Sequence, residues 1–227
     1  MSQEEGLPIL SSPGRVVHLE RNRSLTILRF TDRYEVVNHY LNRERRSGRH
    51  ALDWSRLRYD DPNIIDGWLK RNRLKHGVIS GFRQWAYAAL EWQNLLDCAV
   101  VDRISRGVTV RSLGALLQTG LLNDWEPITP NPLWHTPIRA GLPLPESEAM
   151  IMRPALPAEL ARFYVEDGSG RASYLTAHPP NAEVVAYAYV GFDPDPTSRW
   201  LRQTLDGGYF VRTASRYQRI EDILRPG

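Results

Sequence analysis

The chain of 227 residues is poor in cysteine and in lysine. Its single cysteine, Cys98, excludes an internal disulfide and any site built from several thiolates. Cys98 lies in the apolar run 95–101, so it reads as a small buried hydrophobe rather than a nucleophile. No stretch approaches the roughly 18 consecutive apolar residues that a membrane-spanning helix needs. The start, MSQEEGLPIL, lacks the basic end and apolar core of a secretory signal, so a bacterial cytoplasmic location is expected. A Walker A loop, an HExxH pair, a GxGxxG turn and a GxSxG elbow are also missing, which removes the commonest phosphate, zinc and hydrolase signatures. None of His18, His39, His50, His76, His135 and His178 pairs with another at metal-ligand spacing.

What the chain does contain is ordinary for a folded globular protein: 42% hydrophobic and 24% charged residues. Lys70 and Lys75 are the two lysines among 29 basic residues, a skew that GC-rich coding produces. The net charge of +3 is too small to imply nucleic acid, but its distribution is uneven. Residues 15–75 hold 15 basic and 8 acidic side chains, whereas 76–227 hold 14 and 16. The early segment is therefore either a solvated, arginine-rich helical surface or a patch that meets anions or nucleic acid.

The chain divides into a loose arm over 1–14, a segment 15–126, a proline-rich stretch 127–157 and a last part 158–227, a division compatible with one compact domain overall. Runs at 16–19 and 25–30 form a hairpin. Thr31-Asp32 caps a helix with Val36, Val37, Tyr40 and Leu41 on one face, ending before Gly48. Asp60-Asp61-Pro62 starts a second helix with Ile64, Ile65, Trp68 and Leu69 on its face. Apolar residues on most faces of 78–104 predict a long, buried central helix, and 108–122 a shorter amphipathic one. Eight prolines over 127–157 rule out regular elements throughout, while Trp134, Ile138, Leu142, Leu144, Met150 and Ile151 favour an ordered excursion packed on the core over a linker. Strands are expected at 163–166 and 183–192, a helix from 171 to 177, a short helix at 198–205, a strand at 209–211 and a helix through Ile220 and Ile223. The expected fold class is α+β, with a small mixed sheet and a large helical elaboration over about 32–125.

One segment is built for chemistry: Tyr164-Val165-Glu166-Asp167-Gly168-Ser169-Gly170-Arg171-Ala172. A strand ends in acid, glycines allow a tight turn, and a helix follows whose free N–H groups face the turn, a ready anion site. Ser169 adds a hydroxyl, Arg171 a bidentate phosphate contact, and Asp167 a Mg²⁺ ligand or proton acceptor. The plainer alternative is a tight turn closed by a local Asp167–Arg171 ion pair.

FYVEDGSGRASYLTA resembles the DGxxR strand–turn–helix signature of the ParB/sulfiredoxin-like superfamily over about 15 residues. The resemblance implies a ParB/sulfiredoxin-like core in which Gly168, Ser169, Gly170 and Arg171 bind nucleotide phosphates, with ATP or CTP and Mg²⁺ as cofactors. It also implies a catalytic base at the start of an early helix, for which Glu35, or Asp32, stands in place. The simpler explanation of a Glu in a first helical turn is the helix dipole. Sulfiredoxins carry a cysteine in the turn and this chain does not, which removes the sulfinic-acid reductase reading. Gly170 stands where serine-kinase-like members carry a histidine, and the 56 residues after Arg171 read as strand-rich, so the standard ParB DNA-binding architecture is not expected. Two functions follow. One is a nucleotide- or phosphate-binding enzyme performing phosphoryl transfer or nucleotide hydrolysis on a small molecule, with Asp167 and Glu35 catalytic. The other is a DNA-associated or protein-interaction module using the basic segment 15–75. Neither involves a membrane.

Overall fold

The computed structural model describes residues 16–19, 23–47, 63, 67, 78–102, 109–123, 125–127, 130–155, 161–194, 210–212 and 217–219. The fold is α+β, a mixed sheet with helices on both faces. Strands β1 (Val16–Leu19) and β2 (Arg23–Thr31) form the expected hairpin, with Val16 opposite Thr26 and Leu19 opposite Arg23. Helix α1 (Arg33–Ser47) starts where Asp32 Oδ1 accepts the N–H groups of Tyr34 and Glu35, at 2.9 and 3.0 Å. Its last described residue is Ser47. The helix expected after Pro62 lies outside the described residues, apart from Asn63 and Gly67, which are helical.

The long central helix expected over 78–104 is not formed. Strand β3 (Phe82–Leu90), a short helix α2 (Trp92–Leu96) and strand β4 (Cys98–Asp102) occupy that stretch. A strand buried on both faces is apolar throughout, so periodicity cannot separate it from a buried helix. Ala86, Ala88 and Leu90 point into one core, Trp85 and Tyr87 into another. Glu91, whose N–H donates to Asn94 Oδ1 at 2.8 Å, is the switch between strand and helix. The expected helix at 108–122 is likewise split into β5 (Thr109–Ser112) and α3 (Leu113–Gln118), with the Ser112 side chain accepting Ala115 N–H at 3.1 Å. Among its described residues the segment 32–125 thus supplies three strands to the sheet as well as its helices.

The proline-rich stretch is an ordered excursion. Asn131 caps helix α4 (Pro132–Arg139), where Pro132 occupies the first turn and needs no hydrogen bond. A 3₁₀ turn at Glu146–Glu148 leads into β6 (Met150–Pro154). Trp134, Ile138, Leu144, Met150 and Ile151 are buried, while Leu142 is exposed. Strand β7 (Phe163–Asp167), helix α5 (Ser169–Ala177) and strand β8 (Ala186–Pro194) follow; α5 begins two residues earlier than expected. Strand β9 (Phe210–Arg212) pairs antiparallel with β10 (Tyr217–Arg219). The helices expected at 198–205 and through 220–223 lie outside the described residues.

The main sheet is larger than expected, with eight strands in the order β1-β2-β3-β8-β6-β7-β4-β5. The β8–β6 and β7–β4 pairs are parallel and the rest antiparallel. Segments 15–126, 127–157 and 158–227 each place strands in this one sheet, so they share a core. One face packs on α2, α3, α4 and α5 through residues such as Leu95, Leu116, Ile138 and Leu175. The other packs on α1 through Val36, Val37, Tyr40 and Leu41 against Trp85, Ile151 and Tyr189.

At the β3–β8 pair, Trp85 sits opposite Gly191, and a Cβ on Gly191 would lie 2.7 Å from the Phe82 ring. Gly191→Ala is expected to cost about 1–3 kcal/mol through this overlap. In a Phe82→Leu background that cost should largely disappear, because the two sites are coupled. Urea denaturation of the four proteins measures it; additive costs would contradict this register.

Candidate functional site

The segment singled out by the sequence lies where β7 gives way to α5. Gly168 carries the chain round the corner with φ +103°, in the left-handed region that glycine occupies without strain. A side chain is excluded there twice over. A Cβ would lie 2.7 Å from Arg171 Nη2 and 2.8 Å from Met150 Cγ. Arg171 thus passes directly beneath the turn it follows in sequence. No side chain caps the first turn of α5, and the first intrahelical bond runs from Ala172 N–H to Gly168 O at 2.8 Å.

The Arg171 guanidinium does not face solvent. Its side chain is 2% exposed, and it donates to Glu148 Oε2 at 2.9 Å and Asp167 Oδ2 at 3.0 Å. Arg43, from α1, meets the same Asp167 oxygen at 2.7 Å and Glu44 Oε1 at 2.7 Å. Arg46 also reaches the 3₁₀ turn, donating to Ser147 O and pairing with Glu148 Oε1 at 3.4 Å. Three arginines and three carboxylates therefore lock α1, the 3₁₀ turn, β7 and α5 together. Burial, then Arg43, pushes Arg171 below the ordinary guanidinium range, and Asp167 and Glu148 pull it back. The group stays charged, as guanidinium does in proteins.

His39, also on α1, donates Nε2–H to Ala149 O at 2.9 Å and packs on Tyr189. Burial, with repulsion from Arg171 and Arg43, holds its pKa down at about 4, so the imidazole is neutral near pH 7. A second buried pair, Arg153 Nε to Glu166 Oε1 at 2.6 Å, crosses β6 and β7, with the guanidinium 4.3 Å over the Tyr164 ring.

Glu35 stands apart from the turn. It lies eight residues before Arg43 on α1, about 12 Å of helical rise. Both its oxygens are occupied: Arg29 donates from both Nη atoms, Thr31 from its hydroxyl and Tyr189 from its phenol at 2.9 Å. These donors, Arg29 foremost, push its pKa down to about 2 against a burial penalty. A general base near pH 7 needs a far higher value, so Glu35 serves here as an ionised clamp. Asp32 is the α1 cap.

Asp167 does not suit Mg²⁺. Two guanidinium groups already share its Oδ2, and the described residues contain no group of three His, Cys, Asp or Glu side chains able to hold a metal. The structure therefore brings Asp167, Gly168, Ser169, Gly170 and Arg171 together and leaves Glu35 elsewhere.

On the other side of α5 lies a cluster the sequence did not reveal. Trp125 approaches the turn: a Cβ on Gly170 would lie 3.8 Å from its Cη2. Next to it, Glu126 accepts from Tyr174 OH at 3.2 Å and pairs with His135 Nε2 at 3.0 Å. The His135 ring stacks on Tyr174 at 4.7 Å. Arg43, Glu148, Trp125 and Glu126 carry no local motif; the contacts that bring them to α5 and its turn are with residues remote in the chain, so nothing in their neighbours marks them.

Compared with family models, curated proteins and solved structures, the chain matches none of them.

Two outcomes follow from this geometry. Arg171→Met should destabilise the protein by about 3–5 kcal/mol, because it strands the buried Glu148 carboxylate. Adding Glu148→Leu should recover a large part of that loss in chemical denaturation. The Glu35 carboxyl is depressed on folding, so its contribution is complete above its ordinary 4.5 and is lost as pH falls towards about 2. The stability gap between wild type and Glu35→Gln should therefore shrink across that window. A gap that does not change with pH would show that Glu35 is unpaired.

Proposed function

We propose that the protein binds a nucleotide or related phosphate ester at the turn Asp167–Arg171 and acts on its phosphoryl group. The observation that carries this reading is the convergence of Arg43, from the early basic segment, and Arg171 on one Asp167 oxygen at the uncapped start of α5. The N–H groups of Ser169 and Gly170 belong to the helix turn whose donors lack intrahelical acceptors, and the helix dipole adds positive potential there. Ser169 and Gly170 are half-buried, so this backbone is within reach of a ligand.

In this reading Arg171 has a different task from the one its motif implies. It supports the turn from beneath and sets a positive field, and the backbone amides make the contact. Asp167 holds both guanidinium groups in place until a phosphate oxygen shares their hydrogen bonds. Phosphoryl transfer and nucleotide hydrolysis depend chiefly on positioning and charge neutralisation, the two things such a turn supplies. Mg²⁺, where the reaction uses it, enters with the phosphates of ATP or CTP, since Mg²⁺ is commonly carried by substrate phosphates. The nucleic-acid alternative draws less support. Among the described arginines of 15–75, Arg29, Arg43 and Arg46 are already held by Glu35, Asp167 and Glu148.

The test is a thermal-shift series with ATP, CTP and tripolyphosphate, with and without Mg²⁺, on wild type and Gly170→Glu. Ligand at 100 times its Kd should stabilise the wild type by about 2.7 kcal/mol. Gly170→Glu has space, with only Trp125 in ordinary contact. An acid in the first turn favours the helix by about 0.3–1 kcal/mol while repelling an anion. The variant should therefore stay folded and lose the shift. An unchanged shift in the variant, or none in the wild type with any of the three ligands, would overturn the reading.

A further inference from the structure

We infer that Trp125 is the specificity-determining residue of this site: its indole is the platform on which the planar ring of a nucleoside phosphate rests. The inference deepens the phosphate-site reading above and depends on it. Trp125 is half-buried and its Cη2 lies 3.8 Å from where a Gly170 side chain would begin. The edge of the indole thus borders Gly170, in the first turn of α5, at ordinary van der Waals distance from where its side chain would begin.

The platform is held in place. The backbone N–H of Trp125 donates to Leu122 O at 3.2 Å, and Leu122 is fully buried. The indole contacts Tyr174, one helical turn beyond Gly170, at 6.4 Å between centroids and 58°. The adjoining Glu126 fastens the loop to α4 and α5 through His135 and Tyr174. A fixed aromatic face suits stacking, because no ordering of the side chain opposes it.

A separate observation points to a ligand at the same turn. Arg43 is 5% exposed, its guanidinium abuts Asp167, yet its Nε–H has no acceptor among the described residues. A buried donor on a cation is costly to leave unmade, and a phosphate oxygen is the acceptor it fits. Amides and a spare guanidinium N–H select phosphate; the indole beside them selects a ring. Inorganic phosphates satisfy the first group and leave the second idle.

The full-length protein is titrated calorimetrically with ATP, CTP and inorganic tripolyphosphate, as wild type, Trp125→Leu and Trp125→Phe. Ring stacking is expected to make the better nucleotide bind about 5- to 150-fold more tightly than tripolyphosphate. Trp125→Leu should bring the nucleotide down to the tripolyphosphate affinity and leave tripolyphosphate unchanged, and Trp125→Phe should restore part of the difference. Equal wild-type affinity for nucleotides and tripolyphosphate would overturn the inference and leave the phosphate site standing. Unaltered nucleotide affinity in Trp125→Leu would do the same. Loss of tripolyphosphate and nucleotide binding alike from a folded Trp125→Leu would show a packing residue and also overturn it. Failure of every ligand with the wild type would remove the phosphate site itself, and this inference with it. If Trp125→Leu does not fold, the wild-type and Trp125→Phe titrations decide: identical nucleotide preference and no difference in tryptophan quenching would overturn the platform.

Discussion

A guanidinium group taken out of water has to be met by carboxylates, and the arrangement around Arg171 follows from that need. Asp167 comes from the strand before it and Glu148 from a 3₁₀ turn 23 residues earlier. Arg43 and Arg46 arrive from α1, more than 100 residues away, and complete the charge balance. Breaking such a network is costly because it strands a buried charge, even though assembling it gains little over apolar packing. Its value lies in geometry. The network fixes α1 against β7 and aligns the first turn of α5, and it requires Gly168 to be a glycine because the Arg171 side chain runs where a Cβ would stand.

The sheet places these parts. The parallel β8–β6 and β7–β4 pairs interleave strands from distant parts of the chain, so the start of α5 lies near the middle of the sheet order and not at an edge. Helix α5 then has two dissimilar neighbourhoods. Arg171 reaches the ionic network, while Tyr174, one turn on, meets Trp125, Glu126, Trp134 and His135. A rigid charged floor and an aromatic flank come together at Gly168–Gly170. Glu35, Arg29 and Tyr189 form their own ionised clamp at the beginning of α1, on the same face of the sheet as the network but at the other end of the helix.

Local signals suffice where local physics decides. The β1–β2 hairpin, the Asp32 cap, the apolar face of α1, the β7–turn–α5 unit and β8 all follow from patterns within a few residues. The stretch 78–104 is ambiguous in sequence because burial on both faces removes the alternation that distinguishes strand from helix. In this chain Ala86, Ala88 and Leu90 serve one core while Trp85 and Tyr87 serve the other, and that division is visible only once both cores exist. The site divides in the same way. Asp167 to Arg171 is legible as a turn, but whether Arg171 faces ligand or core depends on Glu148 and Arg43, which no spacing rule connects to it.

The early excess of arginine shows the boundary most clearly. Composition and order alone determined that residues 15–75 are strongly basic, that one turn in the chain has the glycines and the helix start for anion contact, and that no thiol chemistry resides there. The tertiary structure decided that part of the basic segment meets the turn. It did so through Arg43 directly and through Arg46 by way of Glu148, and it placed Glu35 away from the turn and Trp125 beside it. Sequence patterns report on neighbours within a turn of helix or a step of strand. Long-range ion pairs are set by which faces of the sheet are covered, and that is settled by the packing of the whole chain.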